Sequence, residues 1–331
     1  MKPAERRRKL ASLCLANAAA LLEALRWCAA HGVGCFRIVS SILPMKTHPV
    51  AGYRVDDLPN AADVVAAFRR CGEFARMHDV RLTFHPDQFI VLNSPREEVV
   101  RKSLEDLEYH AEVSEWVGAD VVNIHGGGAY GDKGAALERL ARALDRLSHS
   151  ARSLLTLEND DKIFTPSDLL PLCRAAGVPL TYDVHHHRCL PDRLTVEEAT
   201  HQARATWNRE PLFHVSSPES GWSGADPSKH DDWIALEDFP ACWKALDVSV
   251  EVEARAKELA VLRLMRDLHP LGPPGGGSSA AGSRGARRIG RPTAAGRPRR
   301  RAVRIAGGFE QRGGAPPGGL GGRRGRRPAT R

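Results

Sequence analysis

The sequence predicts an α/β protein of the TIM (β/α)₈-barrel type, on three observations. Short apolar runs recur along the chain, and each ends in a side chain able to bind a metal: Leu82-Thr-Phe-His85, Val121-Val-Asn-Ile-His125, Leu154-Leu-Thr-Leu-Glu158, Leu180-Thr-Tyr-Asp183, Leu212-Phe-His214 and Val248-Ser-Val-Glu-Val-Glu253. Between successive runs there is room for a helix. Such alternation builds a parallel sheet whose chemistry sits at the carboxyl ends of its strands. Finally, a chain of 331 residues, 42% of them hydrophobic, suffices for one large core of this kind.

Taken in order, residues 10–30 read as an amphipathic helix with Leu13, Leu21, Leu22, Leu25 and Cys28 on its buried side, stopped at His31-Gly32. A strand over 36–43 runs into Pro44 and a loop holding His48. Asn60 caps a helix to His78, and the Leu82 strand follows. Ser94-Pro95 opens a helix over 96–117, ahead of the strand at 120–125. The Gly126-Gly-Gly128 turn leads to a helix near 133–150 and the strand at 154–158. Thr165-Pro166 starts another helix, with Pro at its first turn as its fixed φ favours. Then come a strand at 179–184, a helix at 195–208, a strand at 212–216, a helix at 231–245, a strand at 248–253 and a helix at 255–268. A (β/α)₈ barrel begins with a strand, whereas this chain opens with a basic stub and a helix. The expected barrel therefore lacks its first strand. It spans residues 1–269, and the Arg/Gly/Pro-rich residues 270–331, without periodicity, are expected to be disordered.

Charge is unevenly placed. Residues 271–331 carry fifteen Arg against one acid, or +14, so the preceding 270 residues carry −6 of the total +8. Nucleic-acid affinity of the body must then come from a local basic face or from bound cations. Seven scattered Cys without a CxxC argue for reduced thiols in a cytoplasmic protein. Arg6-Arg-Arg-Lys9 before an apolar run imitates an export signal, but Asn17, Glu23 and Arg26 continue it as an amphipathic helix. No run of 18 uninterrupted apolar residues occurs, so no membrane partner is expected.

The strand-end and loop residues His48, His85, His125, Glu158, Asp183, His186, His214, His230 and Glu253 form one candidate metal-ligand set. Imidazole with carboxylate suits Zn, Mn or Fe, and the absence of Cys argues against a structural zinc. So many ligands exceed the needs of one ion; two or three ions, with Glu158 or Glu253 bridging, would absorb them. Such clusters serve phosphodiester hydrolysis. Glu158, Glu253 and His214 are the candidate catalytic groups. A lone His is more often packed than ligating, and His31, His78, His110, His149, His201 and His269 fit that description. Six successive strand ends do not. His185 and His187 are left to orient ligands or to contact substrate.

Other polar residues fall on the same rim. Gln88-Phe89 could wedge into a duplex, or Phe89 could be core and Gln88 rim. Asn93, Tyr130, Lys133, Ser216 and Ser217 are further candidates for contacting DNA. Asn123 reads as an internal hydrogen-bonder. Gly126-Gly-Gly128-Ala-Tyr130 lacks the spacing of a nucleotide-binding loop but suits a DNA backbone.

These residues resemble the UV damage endonuclease family. The resemblance is carried by Phe36-Arg-Ile-Val-Ser-Ser-Ile-Leu-Pro44 with His48-Pro49, Thr83-Phe-His-Pro-Asp-Gln-Phe89 with Leu92-Asn-Ser-Pro95, Asn123-Ile-His-Gly-Gly-Gly128, Leu157-Glu-Asn-Asp160, Tyr182-Asp-Val-His-His-His187, His214-Val-Ser-Ser217 and Glu253-Ala-Arg-Ala-Lys-Glu-Leu-Ala260. It covers about residues 12–268. It implies a TIM barrel related to endonuclease IV, a cluster of divalent ions (manganese, with zinc as the alternative), and incision of double-stranded DNA 5′ to UV photoproducts. It further implies ligands at the nine positions above and a lesion-probing glutamine at Gln88. The chain departs from the family in having no first strand with its probing tyrosine. It also has Leu212 where the family can carry a modified lysine. A monomeric, nucleoid-associated repair endonuclease is the leading reading. A sugar isomerase on the same barrel, or an inactive lesion-binding protein, is the alternative.

Overall fold

The computed structural model describes residues 2–86, 89–268 and 304–308, with the side chains of 306–308 excepted. In chain order the elements are α1 (Pro3–His31), β1 (Cys35–Ile38), α2 (Ala61–Met77), β2 (Arg81–Phe84), α3 (Glu97–Val117), β3 (Val121–His125), α4 (Lys133–Leu144), α5 (His149–Leu154), β4 (Leu155–Glu158), α6 (Pro166–Ala176), β5 (Leu180–Asp183), α7 (Val184–Cys189), α8 (Val196–Arg204), β6 (Leu212–Val215), β7 (Ser249–Val252), α9 (Glu258–Leu268) and β8 (Arg304–Gly308). The eight strands are parallel and close into a barrel in sequence order.

Closure is where the structure departs most from the expectation. β8 lies between β7 and β1 and pairs with both, Ser249 to Val252 meeting Arg304 to Gly307 on one side and Cys35 to Arg37 meeting Ala306 to Gly308 on the other. The slot expected to be empty is therefore filled from the stretch assigned to a disordered tail. Five residues of Arg-Ile-Ala-Gly-Gly carry too little apolar periodicity to announce a strand. What recruits them is the pair of open edges left by β1 and β7, whose backbone groups otherwise lack partners. Ile305 is buried in the core, and Arg304 bridges Glu210 at 3.2 Å and Asp79 at 3.0 Å. The rest of the predicted tail lies outside the described residues.

Local chemistry accounts for most element ends. Gly32, Gly118 and Gly177 terminate α1, α3 and α6 with φ of 72°, 74° and 66°, the left-handed conformation that only glycine adopts without strain. Thr165 and Asp168 form a capping box at the start of α6, with Pro166 at its first turn as expected. Asn60 does stand at the N-cap of α2, but at φ 58° its side chain makes no capping bond. The helix expected over 231–245 is instead two short 3₁₀ turns, Leu236–Asp238 and Ala241–Ala245, separated by Pro240. On α1 the buried face is Leu10, Cys14, Ala18, Leu21, Leu25 and Cys28; Leu13, placed inside by periodicity, is 39% exposed. Among the described residues α1 alone is long and apolar enough to cross a membrane, although it holds no run of 18 uninterrupted apolar residues. It packs along α2 and β1.

The barrel interior is layered. At its amino end Cys35, Val121 and Leu212 form an apolar plug without solvent exposure, so Leu212 is spent on packing. Above it, Thr83, Asn123, Thr156, Thr181 and Glu251 form a buried polar layer joined by hydrogen bonds. The carboxyl ends of the strands carry the ionisable groups. If β8 belongs to the barrel, Ile305→Ala removes a packed side chain, and urea unfolding should register a loss of about 2–4 kcal/mol. An unchanged midpoint would show that this segment lies outside the folded core.

Candidate metal centre

Strand register decides which groups meet at the barrel mouth. Pairing sets His125 beside Glu158, Asp183 beside His214, and His214 beside Glu251. Side chains alternate along a strand. The inward series on β4 is thus Thr156 and Glu158, and on β7 it is Ser249 and Glu251, continued by Glu253 just beyond.

Glu158 is the hub. Without solvent exposure, its Oε1 lies 3.2 Å from His214 Nδ1 and 3.3 Å from His186 Nδ1, while Oε2 lies 3.4 Å from His85 Nε2 and accepts from the Asn123 amide. Two ligand sets share it: His85, His125 and Glu158, and Glu158, Asp183 and His186, each with donor atoms within 4.8 Å of one another. Several donors have no hydrogen-bond partner among the described residues, including His125 Nδ1 and Asp183 Oδ2. Buried polar atoms are rarely left so. Orphaned imidazole and carboxylate donors converging at one point fit a divalent cation. His186 Nδ1 lies 3.0 Å from the Asn159 carbonyl, a bond in which the ring N–H donates and fixes the ring. Asp183 also caps α7 by accepting from the His186 N–H at 2.8 Å. A short helix thus delivers His186 where a loop was expected.

A third set, His85, His214, Glu251 and Glu253, surrounds a cation already present. Arg37 Nη1 lies 2.6 Å from Glu253 Oε1, 3.4 Å from Glu251 Oε2 and 3.1 Å from His85 Nδ1.

The remaining expected ligands are less central. His230 Nδ1 is 3.9 Å from Glu253 Oε2, at the edge of the cluster. His48 is exposed and does not join it; its Nδ1 accepts the Val50 and Ala51 N–H groups at 3.1 Å each and shapes a turn. His187 is held between Tyr182 Oη at 2.7 Å and Asp192 Oδ1 at 3.0 Å, a packing role. Glu251 was overlooked, although its even spacing from Glu253 on one strand was the signal that it faces inward.

The candidate DNA contacts divide likewise. Phe89 is 80% exposed and Tyr130 50%, with the Arg139 guanidinium 5.6 Å from the Tyr130 ring centre. Phe89 is therefore rim, not core, while Gln88 lies outside the described residues. Lys133 reaches Asp168 at 2.7 Å. Asn93 is buried and clamps the glycine turn, its amide donating to Gly128 O at 2.8 Å and accepting from Gly128 N at 3.2 Å. A Cβ on Gly127 would come within 2.3 Å of that amide, which is why the turn needs glycine there. Ser217 is also internal: its hydroxyl donates to Asp238 and accepts from Ala235 N. Ser216 is fully buried, so neither serine lies open to a DNA backbone.

Comparisons with known proteins place the chain in a family. The model of the UV-endonuclease UvdE family matches residues 1–272. The chain belongs to that family. It is similar to the UV DNA damage endonuclease of Bacillus velezensis, 33% identical over 285 residues that cover 81% of this chain and 85% of the relative. It is also similar to the UV-damage endonuclease of Neurospora crassa, 38% identical over 274 residues, 77% of this chain and 40% of the relative. Among solved structures it resembles SacUVDE, with a TM-score of 0.72 at 29% identity over 78% of this chain and 88% of that one. The chain is thus a DNA repair endonuclease, and the sugar-isomerase alternative retains only the barrel architecture.

The protonation of the cluster follows from its geometry. Burial pushes the Glu158 carboxyl up, but His214, His125 and His85 outweigh it and hold the group well below the usual carboxylate range. Burial also disfavours the His214 cation, yet Glu158, Glu251 and Glu253 raise it to about 10. His186 is likewise raised, by Asp183 and Glu158 against burial. His85 goes the other way, to about 3, because burial, with Arg37 adding to it, exceeds the pull of Glu158. In metal-free protein the raised imidazoles contribute stability that is complete below the unfolded value of about 6.5 and lost as pH climbs towards 10. The depressed carboxylates are ionised throughout that window and add no slope. The urea midpoint of EDTA-treated protein should therefore fall from pH 6.5 to 9.5, and His214→Asn should flatten the decline; a rising midpoint would contradict the assignment.

Proposed function

We propose that this endonuclease cuts double-stranded DNA immediately 5′ to UV photoproducts, using two or three divalent ions, manganese with zinc as the alternative, which Glu158 and the ligands around it would hold. The observation that carries the reading is the shared position of Glu158 between two ligand sets in a chain of the UV-endonuclease family. His85 and His125 would complete one set, and Asp183 and His186 the other. His214 and Glu253 border both, and His230 stands at the outer edge. Bound divalent ions would polarise the scissile phosphate and acidify the attacking water. The chain's own groups do the rest. Glu253, kept ionised chiefly by Arg37 against burial, turns its other oxygen towards His230. Asn123 and the threonines beneath hold Glu158 in one orientation.

Lesion reading would fall to exposed side chains on the rim, Phe89 after β2 and Tyr130 with Lys133 after β3, and to the neighbouring Gln88 of the sequence motif. A DNA partner suits a mouth whose acidic residues need cations before a polyanion can approach. The protein is inferred to act as a monomer in the cytoplasm, at the nucleoid.

Purified, manganese-loaded protein should nick UV-irradiated supercoiled plasmid and spare unirradiated plasmid. Glu158→Ala should lower the rate by about 10²–10³-fold, the equivalent of several kcal/mol of lost charge stabilisation. Lesion-selective binding without nicking would instead identify an inactive lesion-binding protein. Phe89→Ala should weaken binding to a photoproduct-containing duplex by about 1–3 kcal/mol, read by fluorescence anisotropy, if its ring stacks on a base.

A further inference from the structure

Glu251 belongs to the third set, whose centre Arg37 occupies, so it has no metal to hold there, yet it is a buried carboxylate in the barrel interior. Its side chain is fixed from below by Thr83 Oγ1, which donates to Oε1 at 2.6 Å. Its other oxygen, Oε2, faces His214 Nε2 at 3.3 Å. Neither of these two atoms has a hydrogen-bond partner among the described residues, Oε2 having only the ion-pair contact of Arg37 Nη1 at 3.4 Å besides, and both residues are inaccessible to solvent or nearly so. The opposite edge of the same ring behaves differently. His214 Nδ1 faces Glu158 Oε1 at 3.2 Å, Glu253 Oε1 at 3.6 Å and Asp183 Oδ2 at 3.9 Å. One edge of the imidazole thus looks into the metal centre and the other at a single carboxylate. Arg37 fills the space among Glu251, Glu253 and His85, so a divalent ion at Glu251 would have to displace a guanidinium.

We propose that Glu251 is a positioning residue: it accepts a hydrogen bond from His214 Nε2–H, fixing the tautomer and rotation that turn the Nδ1 lone pair towards the ions. This rests on the metal-centre reading above. A carboxylate behind a ligating histidine sets ring orientation and raises ligand basicity, and its loss typically costs about 10–100-fold in metal affinity. The register of β6 and β7 makes the contact unavoidable, because His214 and Glu251 are direct cross-strand neighbours pointing into the same lumen.

The test uses the full chain with Glu251→Gln, which keeps an acceptor without charge, and Glu251→Met, which removes the acceptor. Calorimetric titration with Mn²⁺ should show affinity reduced about 10-fold or more in Glu251→Met and less in Glu251→Gln. In metal-free wild-type protein, NMR of labelled histidine should show a slowly exchanging, low-field Nε2 proton on His214 that moves upfield in both variants. That signal separates orientation from a general loss of packing. Unaltered manganese affinity in both variants, or a His214 Nε2 proton indifferent to them, overturns the proposal. Wild-type protein that shows the shifted proton yet binds no Mn²⁺ overturns the metal-centre reading and leaves the Glu251–His214 hydrogen bond standing.

Discussion

A carboxylate with no access to solvent, ringed by imidazoles, is the constraint around which the molecule is built. Burying an ionised Glu158 is costly unless opposite charge and hydrogen-bond donors surround it. The barrel supplies both from different strands: His85 after β2, Asn123 from β3, His214 from β6 and His186 from the short helix after β5. Each strand must therefore keep its register, since a slip of one residue would turn its ligand out of the lumen. Beneath the ligands, the threonine and asparagine layer replaces the branched apolar filling usual in such barrels, so that the lower side of Glu158 meets donors.

The second constraint is closure. A parallel sheet of seven strands would leave two unpaired edges, and the groups on β1 and β7 that face the cluster, Arg37 and Glu253, would stand beside the gap. β8 pairs with both strands and brings them into one wall. The Arg37–Glu253 ion pair at 2.6 Å spans this seam. The eighth strand thus joins barrel stability to the geometry of the candidate metal centre.

Around the mouth, polar residues that look alike in sequence take different parts. Asn93 and Ser217 are buried and bonded to distant parts of the chain, holding the glycine turn at Gly128 and the segment from Ala235 to Asp238. Phe89 and Tyr130 are exposed, where an aromatic ring adds nothing to the packing of the barrel. His48 shapes a turn at the periphery. Few side chains thus stand open on the rim, which the buried Asn93 amide helps to hold in shape.

The order of strands and helices, and six of the strand-end groups, were legible in the sequence. An apolar run followed by a single ionisable residue is a local pattern, and local patterns follow from side-chain alternation and helix propensity alone. The likeness to the UV-endonuclease family was equally legible, since its motifs are contiguous. Only the tertiary structure decided that Arg304–Gly308 completes the barrel, because its pairing is dictated by two edges more than fifty residues and more than two hundred residues away. The same holds for Glu251 and Arg37. Their partners lie on other strands, so inter-strand register, which no single stretch of chain encodes, chose what they touch.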